Sequence, residues 1–230
     1  MVTANVIQRT FRIQYGQMSG TAFTVDVDGR EYLITAKHVL PNIQANDYIH
    51  VSHNGTQHKL ATRLVGACPD PIDILVLALD TFLAPDIPLR VSDENITFGQ
   101  DVYFLGFPFG IGAEWGDLNR DFPLPLIKRA TLSTITGKSP EPRVFYLDGN
   151  NNPGFSGGPV VFTPRGGVGT DQSVVAVIHG YLPQREPVYD GKTKTQYDVA
   201  TNSGIIIAYG VWHALEVIRA NPIGFDLSKV

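Results

Sequence analysis

A chain of 230 residues that is 43% hydrophobic can bury a core, as one large domain or as two small lobes, and disorder is excluded as the default. Its one cysteine, Cys68, excludes an intramolecular disulfide and reads as a buried filler, since no basic residue adjoins it to activate the thiol. A formal charge of −4 without a long basic run argues against nucleic acid and anionic membrane as partners. No apolar run approaches the ~20 residues of a membrane helix, and residues 1–8 lack the basic start and apolar stretch of a signal peptide, so a soluble, cytoplasmic chain is expected.

In chain order, alternation and turn signals give six candidate strands in the first half, around 9–15, 20–27, 30–36, 47–53, 57–67 and 73–79. Asp28-Gly29 and Asn54-Gly55 mark two tight hairpins, because both positions of such turns require positive backbone angles. Turn residues then fill 88–99. The second half gives six more strands, around 100–107, 126–136, 144–149, 158–163, 174–181 and 204–209. The segments 110–125 and 182–203 read as long irregular loops. Only 211–220 reads as helical, with Val211, Leu215 and Ile218 on one face and Asn221-Pro222 as a stop. Many short strands without crossover helices predict an all-β fold, and six plus six matches two antiparallel barrels followed by a C-terminal α-helix. The expected division is an N-terminal barrel over 1–95 and a C-terminal barrel plus helix over 96–230.

The chemistry concentrates in Asn152-Pro153-Gly154-Phe155-Ser156-Gly157-Gly158-Pro159, which sets a serine between glycines. A serine hydroxyl is a weak nucleophile at neutral pH and needs a histidine to take its proton and a third group to orient the histidine. His38 ends the run Leu33-Ile34-Thr35-Ala36-Lys37-His38, and Asp73 opens Asp73-Ile74-Leu75-Val76-Leu77. Asp70 is the competing carboxylate, but it lies between Pro69 and Pro71 and reads as a turn residue. In order and in local context, these three blocks resemble the trypsin-like serine proteases. The likeness is closest to their disulfide-free HtrA branch, which Val102-Tyr103-Phe104-Leu105-Gly106-Phe107-Pro108 also resembles.

The resemblance implies a cleft between the barrels, with Ser156 as nucleophile, His38 as general base and then acid, and Asp73 as the orienting carboxylate. The N–H groups of Gly154 and Ser156 would form the oxyanion hole. No cofactor and no metal are implied; the partner is a protein or peptide substrate, cleaved through an acyl-enzyme. Trypsins have an aspartate where this chain has Phe155, which cannot pair with a newly cut N-terminus and sets a large apolar group beside the oxyanion loop. By the family's layout Asn150, Asn151, His179 and Gly180 line the primary pocket. Ile178-His179 resembles the Ile-His of glutamyl endopeptidases and 3C-like proteases, which suggests a polar or acidic residue before the scissile bond. HtrA proteins carry a PDZ domain after the helix, where about ten residues remain here, so regulation through that module is not expected.

Three other readings compete. Gly154-Phe155-Ser156-Gly157-Gly158 also fits the nucleophile elbow of α/β-hydrolases, which would make the chain an esterase, but an elbow needs a helix after the serine and acid then histidine downstream. Here Pro159 and a β-like run follow, and His213 is the one later histidine with a partner set to offer. A catalytically silent protease-fold binding module is the second alternative. His50, His53 and His58 cluster at a hairpin, yet their spacing puts His50 and His53 on opposite strand faces, and a solvated turn accounts for them better than a metal site does.

Overall fold

Asp28 (φ 49°) and Gly29 (φ 74°) close the first long hairpin, and Asn54 (φ 48°) and Gly55 (φ 67°) close the next, as their residue types demand. The protein is described by a computed structural model covering residues 1–85, 87–138, 141–167 and 171–229. Six strands, β1 (Thr10–Tyr15), β2 (Met18–Val27), β3 (Arg30–Thr35), β4 (Asn46–His53), β5 (Thr56–Ala67) and β6 (Leu75–Leu79), pair in the order β3-β2-β1-β4-β5-β6. Pairing of β3 with β6, Leu33 opposite Leu77, closes them into a barrel.

A two-residue strand, β7 (Arg90–Val91), precedes the second barrel. That barrel comprises β8 (Asp101–Gly106), β9 (Leu126–Thr136), β10 (Val144–Asp148), β11 (Pro159–Phe162), β12 (Ser173–Asp190) and β13 (Thr193–Gly210), ordered β11-β8-β9-β10-β13-β12 and closed by β11 against β12. The helix α2 (Trp212–Ala220) packs across β5 and β6. Then β14 (Phe225–Asp226) returns to the edge of β3. Two closed six-stranded antiparallel barrels with a C-terminal helix are what the strand pattern predicts.

Alternation decides which core each residue enters. In β6, Leu75, Leu77 and Leu79 point into the first barrel, while Val76 and Ala78 join a second layer with Val161, Val177, Val211 and Ile218, shared between the barrels and α2. Both faces of β6 are therefore buried, and this explains its unbroken apolar run. Phe104, Phe145, Val160, Phe162 and Ile206 fill the second barrel. Cys68 lies in the shared layer, where its S–H donates to the carbonyl of His213 (3.5 Å) and burial pushes the thiol up to about 12.

Two local expectations fail. A short helix, α1 (Ala4–Gln8), precedes β1 where the sequence shows no period. The segment 182–203 is not an irregular loop: β12 and β13 run on through it as a two-stranded ribbon, with Gln184 opposite Thr201 and Glu186 opposite Val199. Among the described residues, no helix is long and apolar enough to cross a membrane.

Candidate active site

His38 sits in a single 3-10 turn, Lys37–Val39, that begins two residues after β3 ends. Asp73 lies two residues before β6, buried at 7% exposure. Because β3 and β6 are neighbours in the closed barrel, the two residues meet: Nδ1 of His38 is 2.6 Å from Oδ2 of Asp73, and the His38 N–H donates to Oδ1 (3.1 Å). Asp70 instead forms an exposed ion pair with Lys37 (2.6 Å). A second imidazole also reaches Asp73, Nδ1 of His179 at 2.6 Å from the same Oδ2. Burial pushes the Asp73 carboxyl up, but hydrogen bonds from His179 and His38 and their charge outweigh it, holding the group well below the usual carboxylate range.

Ser156 reaches the same cleft from the second barrel, between β10 and β11. The cleft has a volume of about 500 Å³, and its walls include His38, Asp73, Asn151, Ser156, His179 and Gly180. Among the described residues, the hydrogen bond made by the Ser156 hydroxyl is to the backbone carbonyl of His179 (3.1 Å) rather than to the His38 ring.

Two linked turns shape the chain around the serine. The Phe155 N–H donates to Asn152 O (3.3 Å) and the Gly158 N–H to Phe155 O (2.8 Å). Their third positions are Gly154 (φ 106°) and Gly157 (φ 83°), the left-handed angles that type II turns require. Side chains are excluded there by space as well, since a Cβ on Gly154 would fall 2.4 Å from Phe107 O and one on Gly157 2.2 Å from Thr21 O.

The hydrogen bonds on the preceding carbonyls orient the next N–H groups. Pro153 O is held by the N–H of Phe109 (2.9 Å), and Phe155 O by that of Gly158 (2.8 Å). In a trans peptide the N–H points opposite to the carbonyl, so the N–H groups of Gly154 and Ser156 point away from these contacts and find no acceptor among the described residues. Phe155 turns its ring out of the cleft. It is fully buried in the second barrel, edge-on to Phe104 with centroids 4.8 Å apart, so the large apolar group leaves the serine's surroundings clear.

Of the four residues expected in the primary pocket, Asn151, His179 and Gly180 line the cleft. Asn150 does not; it is exposed, its Oδ1 accepting from Asn202 (3.3 Å) and its carbonyl from Lys128. Sequence reasoning missed Tyr181 and Lys37 in the walls, Lys128 behind residues 150–152, and Thr21, whose hydroxyl donates to Gly154 O (2.7 Å). No local motif marks these residues, because their roles arise from contacts distant in sequence.

The donor atoms of His38, Asp73 and His179 lie within 4.8 Å of one another, two imidazoles and a carboxylate of a kind that zinc accepts. The Nδ1 atoms of both rings are already engaged with the carboxylate, however, and a metal there would displace the protons they share with it. His53, in the hairpin cluster, packs edge-on against Phe122 (4.6 Å) and His58 (5.3 Å). A wider groove of about 1050 Å³ beside α2, lined by Cys68, Trp212 and His213 among others, holds none of these groups.

Comparison with known proteins shows the family and the fold. The Trypsin-like peptidase domain model matches residues 20–168, a span that holds His38, Asp73 and Ser156. No curated protein matches the chain. Among solved structures, the fold is similar to the active form of the Rv3671c protease from M. tuberculosis (18% identity, TM-score 0.59, covering 95% of this chain and 82% of that one). It is as similar to the inactive form of the Rv3671c protease (18%, TM-score 0.57, 95% and 91%). The HtrA-type protease AlgW, solved with a tripeptide, matches at 20% identity and TM-score 0.58, over 94% of this chain and 62% of that one. The chain belongs to the trypsin-like peptidase family.

Proposed function

We propose that this protein is a serine endopeptidase that cleaves protein or peptide substrates through an acyl-enzyme. The observation that carries the reading is the His38–Asp73 pair at 2.6 Å, set in one cleft with Ser156. In the reaction, the Ser156 hydroxyl turns from His179 O to Nε2 of His38, which takes its proton as Oγ attacks the substrate carbonyl. The negative charge on the former carbonyl oxygen is met by the N–H groups of Gly154 and Ser156, which have no other acceptor among the described residues. His38 passes its proton to the leaving amine, and water, deprotonated in turn by His38, releases the acyl group. Asp73 keeps the proton of His38 on Nδ1 and stabilises the imidazolium.

For specificity, the reading is a polar or acidic side chain before the scissile bond. Lys128 supports it, because its ammonium donates to Asn150 O and to Asn152 Oδ1 (3.3 Å) and puts a positive charge behind that wall. Cleavage profiling with a peptide library tests this; a profile dominated by small aliphatic residues, unchanged in Lys128→Ala, would remove it.

A second reading, a silent peptide-binding module, draws on the resting hydrogen bond of Ser156 to His179 O. One experiment separates the two. A fluorophosphonate probe should label Ser156 alone, and casein hydrolysis should fall by about four to six orders of magnitude in Ser156→Ala. Tight peptide binding without labelling or turnover would favour the binding module.

A further inference from the structure

One oxygen of Asp73 serves two imidazoles. Oδ2 lies 2.6 Å from Nδ1 of His38 and 2.6 Å from Nδ1 of His179. An ionised carboxylate only accepts, so each Nδ1 carries a proton. The two histidines come from different barrels. His179 lies where the pairing of β12 with β13 jumps from Ile178–Ala208 to Gly180–Ile207, so it is the extra residue of a β-bulge, a device that re-aims a side chain. Its ring stands edge-on to His38 (centroids 5.7 Å apart) and to Tyr209 (5.6 Å). Its own carbonyl accepts the Ser156 hydroxyl at 3.1 Å.

We propose that His179 is a positioning residue for hydrolysis, an inference that rests on the serine-endopeptidase reading. Its ring holds the Asp73 carboxylate from the side of the second barrel while its backbone carbonyl holds the nucleophile. One residue thereby sets the distance between the base–acid pair of the first barrel and the serine of the second. Losing the ring removes one of two donors from Oδ2 and frees the bulge that aims the carbonyl. Asp73 is then held by His38 alone, without its tie to the second barrel, and the Ser156 hydroxyl loses its parking position beside it. This differs from a role in the pocket wall, because a ring committed to Asp73 through Nδ1 acts on the rate of the chemical step and not on substrate affinity.

The test compares wild type with His179→Ala, His179→Asn and His179→Gln on one fluorogenic peptide, with proton NMR of the resting enzymes. Asparagine sets its side-chain N–H where Nδ1 of histidine stands, and glutamine sets it one bond further out. His179→Ala should lower kcat about 10- to 100-fold, the effect of one lost hydrogen bond to a charged group, with KM within about twofold. His179→Asn should recover most of kcat and His179→Gln little. Two far-downfield Nδ1–H resonances in wild type should become one in His179→Ala. Wild-type kcat in His179→Ala, a change confined to KM, or no difference between Asn and Gln would overturn the proposal. Should His179→Ala fail to fold, the Asn and Gln pair carries the comparison. A wild-type enzyme that shows two resonances but neither probe labelling nor hydrolysis would refute the endopeptidase reading itself, a result distinct from these.

Discussion

Thr21, in the middle of β2, donates its hydroxyl to Gly154 O (2.7 Å), accepts from the N–H of Phe107 (3.1 Å), and donates its own N–H to Ser156 O (2.9 Å). A residue of the first barrel thus holds the nucleophile loop of the second at both hole residues. Thr21→Val keeps the shape and removes the hydroxyl, which frees Gly154 O and leaves the Phe107 N–H buried and unpaired, at a cost of about 1–3 kcal/mol in stability. Gly154, whose N–H is one of the two hole donors, loses its tie to the first barrel with it. Peptide hydrolysis should therefore drop roughly tenfold in kcat, while Thr21→Ser, which keeps the hydroxyl, should stay near wild type in both kcat and thermal midpoint. Equal kcat in Thr21→Val and wild type would show that the turn holds itself. Nothing in Ser19-Gly20-Thr21 announces this role, since its partners lie more than 80 residues away. His38, Asp73 and Ser156 were legible because each carries its geometry locally, in a strand end or a glycine turn. The shared Asp73 carboxylate was not, because a bulge is invisible until the register of both strands is known.

At the scale of elements, strands with one buried face could be read from alternation, and β6, buried on both faces, from its apolar run. The ribbon formed by the outer halves of β12 and β13 could not. Its residues are polar or exposed on both faces, with Val188, Tyr189, Tyr197 and Val199 all in solvent and Pro183 and Pro187 within the strand, so no hydrophobic period marks it. It is held by pairing alone and adds little to any core. Replacing residues 185–200 by Asn-Gly, between the paired Gln184 and Thr201, should shift the thermal midpoint by only a few degrees. Thr201 to Ser203 must stay, because the Asn202 amide donates to Asn151 O (2.5 Å) at the cleft wall. With that contact kept, hydrolysis of a short peptide should match wild type. A fall of more than about 10 °C in a thermal melt would mean that the ribbon supports the barrel it leaves.

For the whole molecule, the joint between the barrels is tied by buried charge as well as by the shared apolar layer. Arg9, at 1% exposure, forms a two-pronged pair with Asp26 (3.0 and 2.7 Å) and donates to the carbonyls of Pro85 and Ile87 in the connection to the second barrel. Glu31, at 2% exposure, accepts from the N–H groups of Leu83 and Ala84 in the same connection (2.9 and 3.0 Å). Burial raises the Glu31 carboxyl to about 7, against the backbone hydrogen bonds and the Arg9 charge that favour ionisation. In the unfolded chain a glutamate titrates near ~4.3. Between these two values the unfolded state has released its proton while the folded state keeps it, so stability falls as pH rises through the window. The contribution of Glu31 is full below about pH 4 and has gone above about pH 7, a loss on the order of 4 kcal/mol, because each pH unit crossed inside that window removes ~1.4 kcal/mol. Glu31→Gln cannot titrate, and it presents an amide donor to one backbone N–H, so it should be the less stable chain at pH 4.5. Denaturant melts of both chains from pH 4.5 to 8 isolate the effect, because every other titrating group is common to the two. Their stabilities should converge as pH rises, and parallel curves would show that Glu31 is already ionised in the folded protein, its two backbone N–H donors outweighing its burial.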